Sequence, residues 1–304
     1  MNDTPGQRLL IIGGSGHVSG NLARIAVADG FDVTILTRGQ KPAPEGVRAL
    51  VADRKDTVAV RAALEDETWD LAVDCIGYEA QDARQDVELL RDRARQFVFI
   101  STDFVFDPPR RRFPQPFDNP YFLQDESYGA KKRRCEEVLL ADETGWHWTV
   151  FRPCHIYGAP SQLGCLPNAA RDPELIAKMK RGEPMRLVGG GHFLQQPIDV
   201  RDLARLVLSV IGNPLTLRRI YCSVGPDIIT SYHYYEIIAE VLGVPVTFEE
   251  LPVAQSLAEH PEWVSFLCHR IYDLTPLRLD GLQVPNTPVA KGLREHTQWL
   301  LERP

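Results

Sequence analysis

The 304-residue sequence contains no apolar run approaching the roughly 20 residues that a membrane-spanning helix needs. Its start, MNDTPGQR, has no apolar core of the kind found in signal peptides, so a cytoplasmic protein is expected. Cysteine is sparse. Cys75, Cys135, Cys154, Cys165, Cys222 and Cys268 are scattered without a CxxC pair, which speaks against a disulfide framework or a zinc site; they read as reduced thiols, and no metal is expected. Positive charge is also short. With 34 Lys and Arg against 41 Asp and Glu, the net charge of −7 argues against a general affinity for nucleic acid or an anionic membrane, although a phosphate site can still be locally basic. No internal repeat or low-complexity tract interrupts the chain. What is present, 44% hydrophobic and 25% charged residues, suits a globular chain with a large core, as one extended domain or two.

Arg8 to Ile12 (RLLII) reads as a short buried strand that runs into Gly13-Gly14-Ser15-Gly16 and then into a helical stretch through Asp29. This strand, glycine turn and helix can cradle a pyrophosphate. Gly13 permits the tight turn, Gly16 lets backbone come close, and the helix amino terminus offers unpaired N–H donors and partial positive charge. A second strand, Asp32 to Thr37, ends at Thr37-Arg38-Gly39, where a carboxylate for the adenosine ribose is usual in NAD-binding folds of this kind. Here Arg38 stands instead, and a guanidinium suits an adenosine 2′-phosphate, so NADP is expected over NAD, with NAD still possible. A third strand ends at Asp53-Arg54, where Asp53 either caps the next helix or meets the adenine amine. The fourth ends at Cys75-Ile76-Gly77, where the glycine lets backbone lie against a cofactor.

Tyr128 and Lys132 lie four apart in SYGAKKRRCEEVLL, a helical run, and so project from one face. A free phenol titrates near pH ~10; an ammonium beside it stabilises the phenolate and brings it into catalytic range. Such a pair is common on solvated faces, and it is the dinucleotide signature upstream that gives it weight.

The first half alternates strands and helices, with strands at Arg8 to Ile12, Asp32 to Thr37, Val47 to Ala52, Leu71 to Ile76, Phe97 to Ser101 and Trp148 to Arg152. The expected architecture is α/β: a Rossmann-type doubly wound parallel sheet over residues 1–165, with 196–223 returning to it, and a smaller substrate-binding lobe over 166–304. Between Asp107 and Asp125, five prolines and the run Arg110-Arg111-Arg112 predict a loop over the site, the arginines mostly solvated. Beyond Arg152 the chain is irregular through Pro167. A helix is then expected near Pro173 to Arg181, a turn at Gly189 to Gly191, an amphipathic stretch at Asp199 to Ile211, a strand at Arg219 to Ser223, a helix from Thr230 to Leu242 stopping at Gly243, and a closing helix from Pro288 to Leu301.

In order along the chain, GGSGHVSG, FVFISTDFVF, SYGAKK, FRPCHIYG and PIDVRDLA resemble the motifs of the extended short-chain dehydrogenase/reductase family, also called the NAD-dependent epimerase/dehydratase family. The resemblance covers nearly the whole chain. It implies that Thr102 hydrogen-bonds a substrate carbonyl, Tyr128 exchanges the proton, and Lys132 holds the nicotinamide ribose and lowers the tyrosine pKa while hydride passes to or from the ring. The implied cofactor contacts are Gly13, Ser15, Gly16, His17, Val18, Arg38, Asp53, Arg54, Cys75, Ile76, Gly77, Lys132 and Pro153; the substrate contacts are Thr102, Asp103, Phe104 and His155. Ser19 stands where the family has its third fingerprint glycine, which implies different packing of the first helix. His155 replaces an asparagine common in nucleotide-sugar members. Phe104 replaces the glutamate of the dehydratases and decarboxylases; it cannot move a proton, and STDFVFD is closest in kind to the STDYVFDG of dTDP-dehydrorhamnose reductases. The expected activity is therefore reduction of a sugar or sugar-nucleotide, with 4-epimerisation as the alternative and a non-enzymatic NADP-sensing regulator or RNA-binding relative as a rival from another class. The expected partner is a small molecule, with neither nucleic acid nor membrane, in a homodimer.

Overall fold

The computed structural model describes residues 6–165 and 171–303; residues 1–5, 166–170 and 304 lie outside it, among them the start of the chain and Pro167, where the sequence ends the irregular stretch. In chain order the main elements are β1 (Arg8–Ile12), α1 (His17–Ala28), β2 (Asp32–Thr37), β3 (Arg48–Val51), α2 (Thr57–Ala63), β4 (Trp69–Asp74), α3 (Ala80–Leu90), β5 (Ala94–Ile100), α4 (Tyr128–Leu140) and β6 (Trp148–Pro153). Then follow β7 (Ile156–Tyr157), α5 (Leu175–Lys180), β8 (Met185–Val188), β9 (Leu194–Gln195), β10 (Ile198–Asp199), α6 (Val200–Leu208), β11 (Arg219–Ser223), β12 (Ile229–Thr230), α7 (Ser231–Leu242), β13 (Phe248–Leu251), α8 (Val253–Glu259), α9 (Thr275–Leu279) and α10 (Val289–Leu301).

Seven strands form one sheet in the order β11-β6-β5-β4-β1-β2-β3, every neighbouring pair parallel. Parallel strands need crossovers, and the helices that make them bury both faces, which is why LLII and LAV are continuous apolar runs rather than alternating ones. One face packs against α1 and α6 through Leu22, Ala23, Ala26, Leu203 and Val207. The other buries Leu10, Ala72 and Phe97 beneath α3 and α4 with Leu89, Leu90, Cys135 and Leu139. At about 25 cal/mol per Å² these two layers are the dominant stabilising term. The strand order reverses between β1 and β4, and such a switch point opens a crevice at the carboxyl ends of the strands.

Strand and helix centres follow the sequence pattern, and the ends shift by one to three residues where polar side chains take over the backbone. β4 stops at Asp74 because its carboxylate accepts from the N–H groups of Ile76 and Gly77, turning the chain. α7 stops at Gly243, which takes the left-handed conformation with φ of 66°. The Pro-rich segment forms only a short 3-10 turn at Pro108–Arg110 and isolated bridges. A further core groups Met179, Leu187, Ile237, Ile238 and Leu293 around α7 and α10, edged by the parallel pair β8 and β13, which sequence periodicity did not reveal. Among the described residues no helix is long and apolar enough to cross a membrane, and no cluster of metal ligands occurs.

Candidate active site

At the strand tips lies a cleft of about 560 Å³ lined by Gly16, His17, Val18, Cys75, Ile76, Thr102, Asp103, Phe104, Tyr128, Lys132, Pro153 and His155, together with Arg171, Phe266 and Arg270. It thus collects the three residues expected to do chemistry and most of those expected to hold cofactor. Gly13 sits below it with φ of 116°, a conformation open to glycine, and carries the chain from β1 into α1. Ser15 is exposed on the turn, and Gly16 is the cap residue of α1. Ser19, at the position of the missing glycine, is buried, and its Oγ accepts from the Gly16 N–H at 3.1 Å. A hydroxyl there closes the turn instead of leaving space.

His17 donates from Nε2 to the Gly158 carbonyl at 2.9 Å, which makes Nδ1 the acceptor nitrogen; it is buried without a partner among the described residues. Burial, then Arg171, lowers its pKa from 6.5 to about 4. A neutral acceptor at the head of α1 suits a hydroxyl donor from a bound ligand.

Thr102 follows β5 and caps a 3-10 turn at Asp103–Val105, its Oγ1 accepting from the Phe104 N–H at 3.3 Å. The hydroxyl proton remains uncommitted among the described residues and can be donated into the cleft. Ser127 caps α4 by accepting from the Ala130 N–H, which puts Tyr128 at the first helical position and Lys132 one turn later. Gly129 fixes how close this helix can come: a Cβ there would lie 1.9 Å from the Phe104 carbonyl oxygen. That contact sets Tyr128 beside the Thr102 turn, with its ring 6.5 Å from Phe104, centroid to centroid.

Lys132 is 1% exposed; its Nζ donates to the carbonyls of Gly77 and Ile100 and stands 4.1 Å from the centre of the Phe99 ring. Burial lowers its pKa, with Asp74 opposing, and one of its three N–H donors is left for a ligand. The expected depression of the Tyr128 pKa does not occur in this structure. Although Tyr128 is 47% exposed, its hydroxyl is crowded enough that desolvation, then Tyr78 and Asp103, push its pKa upward, while Lys132 is engaged with the carbonyls of Gly77 and Ile100. Tyr128 is accordingly a protonated phenol at neutrality.

Two further expectations are corrected. Arg54 does not face a cofactor: it is buried and ion-paired with Asp74 at 2.6 Å, Asp82 at 3.5 Å and Asp86 at 2.6 Å, a cluster that ties β4 to α3. Asp103 lines the cleft but is 1% exposed, and both its oxygens are taken: Oδ2 by Arg270 Nε at 2.7 Å and by the Tyr272 hydroxyl, Oδ1 by Arg270 Nη2 at 2.9 Å. A carboxylate so occupied holds protein together rather than substrate. Arg38 and Asp53 are exposed at the tips of β2 and β3, Asp53 accepting from the Lys55 N–H as a local cap. Of the three consecutive arginines only Arg111 is buried, donating to the Asp103 carbonyl; Arg110 and Arg112 are solvated. The Arg of FRPC, Arg152, forms a buried fork with Glu136, which also accepts from Ser101 Oγ at 2.6 Å, bracing the strand tip behind Thr102. Burial pushes the Cys154 thiol up to about 11, so it stays uncharged.

Sequence reading missed Tyr78, Arg171, Phe266 and Arg270. Tyr78, a large aromatic following the Cys75-Ile76-Gly77 strand end, carried a local signal; the other three stand in no recognisable spacing.

Residues 9–221 match the description "NAD dependent epimerase/dehydratase family". The chain belongs to this family. A curated relative, the chloroplast stem-loop binding protein of 41 kDa b of Arabidopsis thaliana, is 26% identical over 257 residues, 79% of this chain and 64% of that protein, so the chain spans under two thirds of the relative's length. Solved structures of similar fold include a UDP-N-acetylglucosamine 4-epimerase from Methanobrevibacter ruminantium in complex with UDP-N-acetylmuramic acid (TM-score 0.80, 17% identity, 98% of this chain and 99% of that one). Epimerase Mth375 from Methanothermobacter thermautotrophicus has a TM-score of 0.79 at 15% identity over 98% and 93% of the two chains, and UDP-glucose 4-epimerase from Thermotoga maritima with UDP-glucose 0.78 at 16% over 97% and 99%. At these identities the likeness is one of fold, and it agrees with the seven-stranded parallel sheet of this epimerase/dehydratase family member.

Proposed function

We propose that this protein is an NADP-dependent reductase of a sugar or sugar-nucleotide, exchanging hydride at a carbonyl with Thr102, Tyr128 and Lys132 as its catalytic residues. The observation that carries the reading is the meeting of these three side chains in one cleft whose far end is the glycine turn and the head of α1. The residues fit a dinucleotide: the positive end of α1, the unpartnered His17 Nδ1 and the spare Lys132 donor are each suited to a phosphate or a hydroxyl. When bound, the nicotinamide supplies or accepts the hydride.

Lys132 holds the ribose hydroxyls, and its charge also favours developing negative charge nearby. Thr102 donates to the substrate oxygen, orienting the carbonyl. Tyr128, protonated at neutrality, gives its proton to that oxygen as negative charge develops there. Phe104 closes the position a dehydratase would need for a proton-transferring glutamate, and it leaves an aromatic face with Phe266 at 4.7 Å between ring centroids. Arg38, exposed and without an ion pair among the described residues, supports NADP over NAD. The proposal includes a homodimer and a cytoplasmic location.

Incubation with NADPH, NADH and a panel of keto-sugar nucleotides, followed by nicotinamide absorbance and product analysis, tests it. Net cofactor consumption with NADPH preferred supports the reductase; product without net consumption identifies the 4-epimerase instead. A second reading, binding of stem-loop RNA, rests on the name of the Arabidopsis relative. Tight RNA binding at physiological salt without turnover of any carbonyl would replace the enzymatic reading.

A further inference from the structure

Arg270 lies 167 residues from Asp103 in sequence, yet their side chains form a two-bond fork inside the cleft wall. The guanidinium uses Nε and Nη2 for that fork and rests 4.7 Å over the Phe104 ring. Nη1, on the edge away from Asp103, is buried and has no hydrogen-bond partner among the described residues. A guanidinium 1% exposed with an unused donor is costly unless something completes it. The charge around it is also incomplete. Arg111 shares the Asp103 carboxylate at 3.9 Å, and Arg171, also in the lining, donates to the Ile156 carbonyl with no carboxylate partner among the described residues. The lining therefore carries Lys132, Arg171 and Arg270 against the single carboxylate Asp103, a surplus of positive charge in a protein whose net charge is −7. The depressed pKa of His155, set by burial and then by Arg171 and Arg270, reports the same unbalanced field.

The position of Arg270 matters as much as its charge. Asp103 is the neighbour of Thr102, so the ion pair fixes the guanidinium next to the group that orients the reacting carbonyl. The glycine turn and the head of α1, where a dinucleotide's pyrophosphate binds, belong to a different part of the lining.

We propose that Arg270 is a specificity-determining residue that binds an anionic group, a carboxylate or a phosphate monoester, carried by the substrate close to its reacting carbon. The inference deepens the reductase reading and rests on it for the identity of the cleft. Its ligands are accordingly sugar acids or sugar phosphates, free or nucleotide-linked, rather than neutral keto-sugars. Arg171 supplies a second, longer-range attraction from the same lining.

Direct calorimetric binding to the full chain, with and without saturating NADP, separates the cases using matched probes: UDP-glucuronate against UDP-glucose, and glucose 6-phosphate against glucose. The wild-type protein is expected to bind the acidic member of at least one pair at least tenfold more tightly; which pair responds tells carboxylate from phosphate. Arg270→Gln should abolish that preference while changing the affinity of the neutral member less than threefold. Because Arg270→Gln leaves Asp103 uncompensated, Arg270→Lys serves as the second variant: it keeps a charge for Asp103, removes Nη1, and should cut the preference severalfold. Equal affinity within both pairs for the wild-type protein, or a preference unchanged in either variant, overturns the proposal. Binding is read without turnover, so failure of the reductase reading, seen as absence of NADP binding, is distinguishable from failure of this one.

Discussion

One wall of the cleft is assembled from residues 13–132, where the glycine turn, the tips of β4 and β5 and the head of α4 deliver Gly16, Cys75, Thr102, Tyr128 and Lys132. The facing wall takes His155, Arg171, Phe266 and Arg270 from loops scattered over more than a hundred residues of the carboxyl half. The first wall is held by backbone: Lys132 on two carbonyls, Thr102 on its own turn, Gly129 against Phe104. The second is held by charge, with Arg270 pinned by Asp103, whose carboxylate also accepts from the Tyr272 hydroxyl. Backbone geometry serves a cofactor of constant shape, whereas side-chain charge can be exchanged without moving a strand. On the proposed reading, the first wall carries the chemistry and the second the specificity.

The largest expected effect falls on the first wall. Tyr128→Phe should lower turnover by roughly two to four orders of magnitude with substrate affinity little changed, measured as kcat and KM separately. An active variant would leave the amino-half wall without its acid. Next in size is Arg54→Met, which strands Asp74 and Asp86 without their cation, while Asp82 keeps Lys55 at 2.7 Å. Breaking a buried ion cluster costs on the order of 3–5 kcal/mol, to be read as a fall in the denaturant midpoint. Cofactor affinity should follow that loss only through unfolding, since Arg54 does not touch the cleft.

Gly129→Ala sharpens the comparison at lower cost. Its methyl group meets the Phe104 carbonyl, and overpacking of this kind costs typically about 1–3 kcal/mol. Because the strain falls between Tyr128 and the Thr102 turn, kcat should drop while NADP binding, measured by fluorescence, holds. Equal loss of both would mean that α4 moves as a whole.

How far the sequence revealed this division follows from the same physics. Gly13 to Gly16, Thr102 and the Tyr128/Lys132 pair are legible because each acts through neighbours within four residues, where spacing fixes direction. The sheet was legible for a related reason: buried parallel strands are short, continuous apolar runs between glycine and proline punctuation. Arg54 was misread because a strand-tip arginine looks the same whether it turns outward to a ligand or inward to Asp74 and Asp86. Asp103 was misread because its partners, Arg270 and Tyr272, are distant in sequence, and no local pattern announces a pairing across 167 residues. The expected interaction of Lys132 with the Tyr128 phenol failed because helical spacing places two side chains on one face without saying which carbonyls compete for the amine.

Smaller effects probe the junction of the walls. His17 keeps its folded pKa near 4 against 6.5 in the unfolded chain. Between those values unfolding takes up a proton, so its contribution is complete above pH 6.5 and is lost as pH falls toward 4. Denaturant midpoints of the wild-type protein should decline through that window, and His17→Asn should flatten the decline; identical pH profiles would remove His17 from the account. The smallest effect is expected at the cofactor rim, where Arg38→Ala should reduce the preference for NADPH over NADH by about tenfold, the worth of some 1.4 kcal/mol.

The central claim, that the amino-half wall performs hydride exchange on a sugar carbonyl, is tested most directly with NADPH deuterated at the transferable position of its ring. With a keto-sugar substrate, mass spectrometry should find one deuterium on the reduced carbon of the product, and none with Tyr128→Phe over the same interval. Turnover with no deuterium in the product, or no turnover across neutral, carboxylated and phosphorylated keto-sugars despite bound NADPH, would contradict the account.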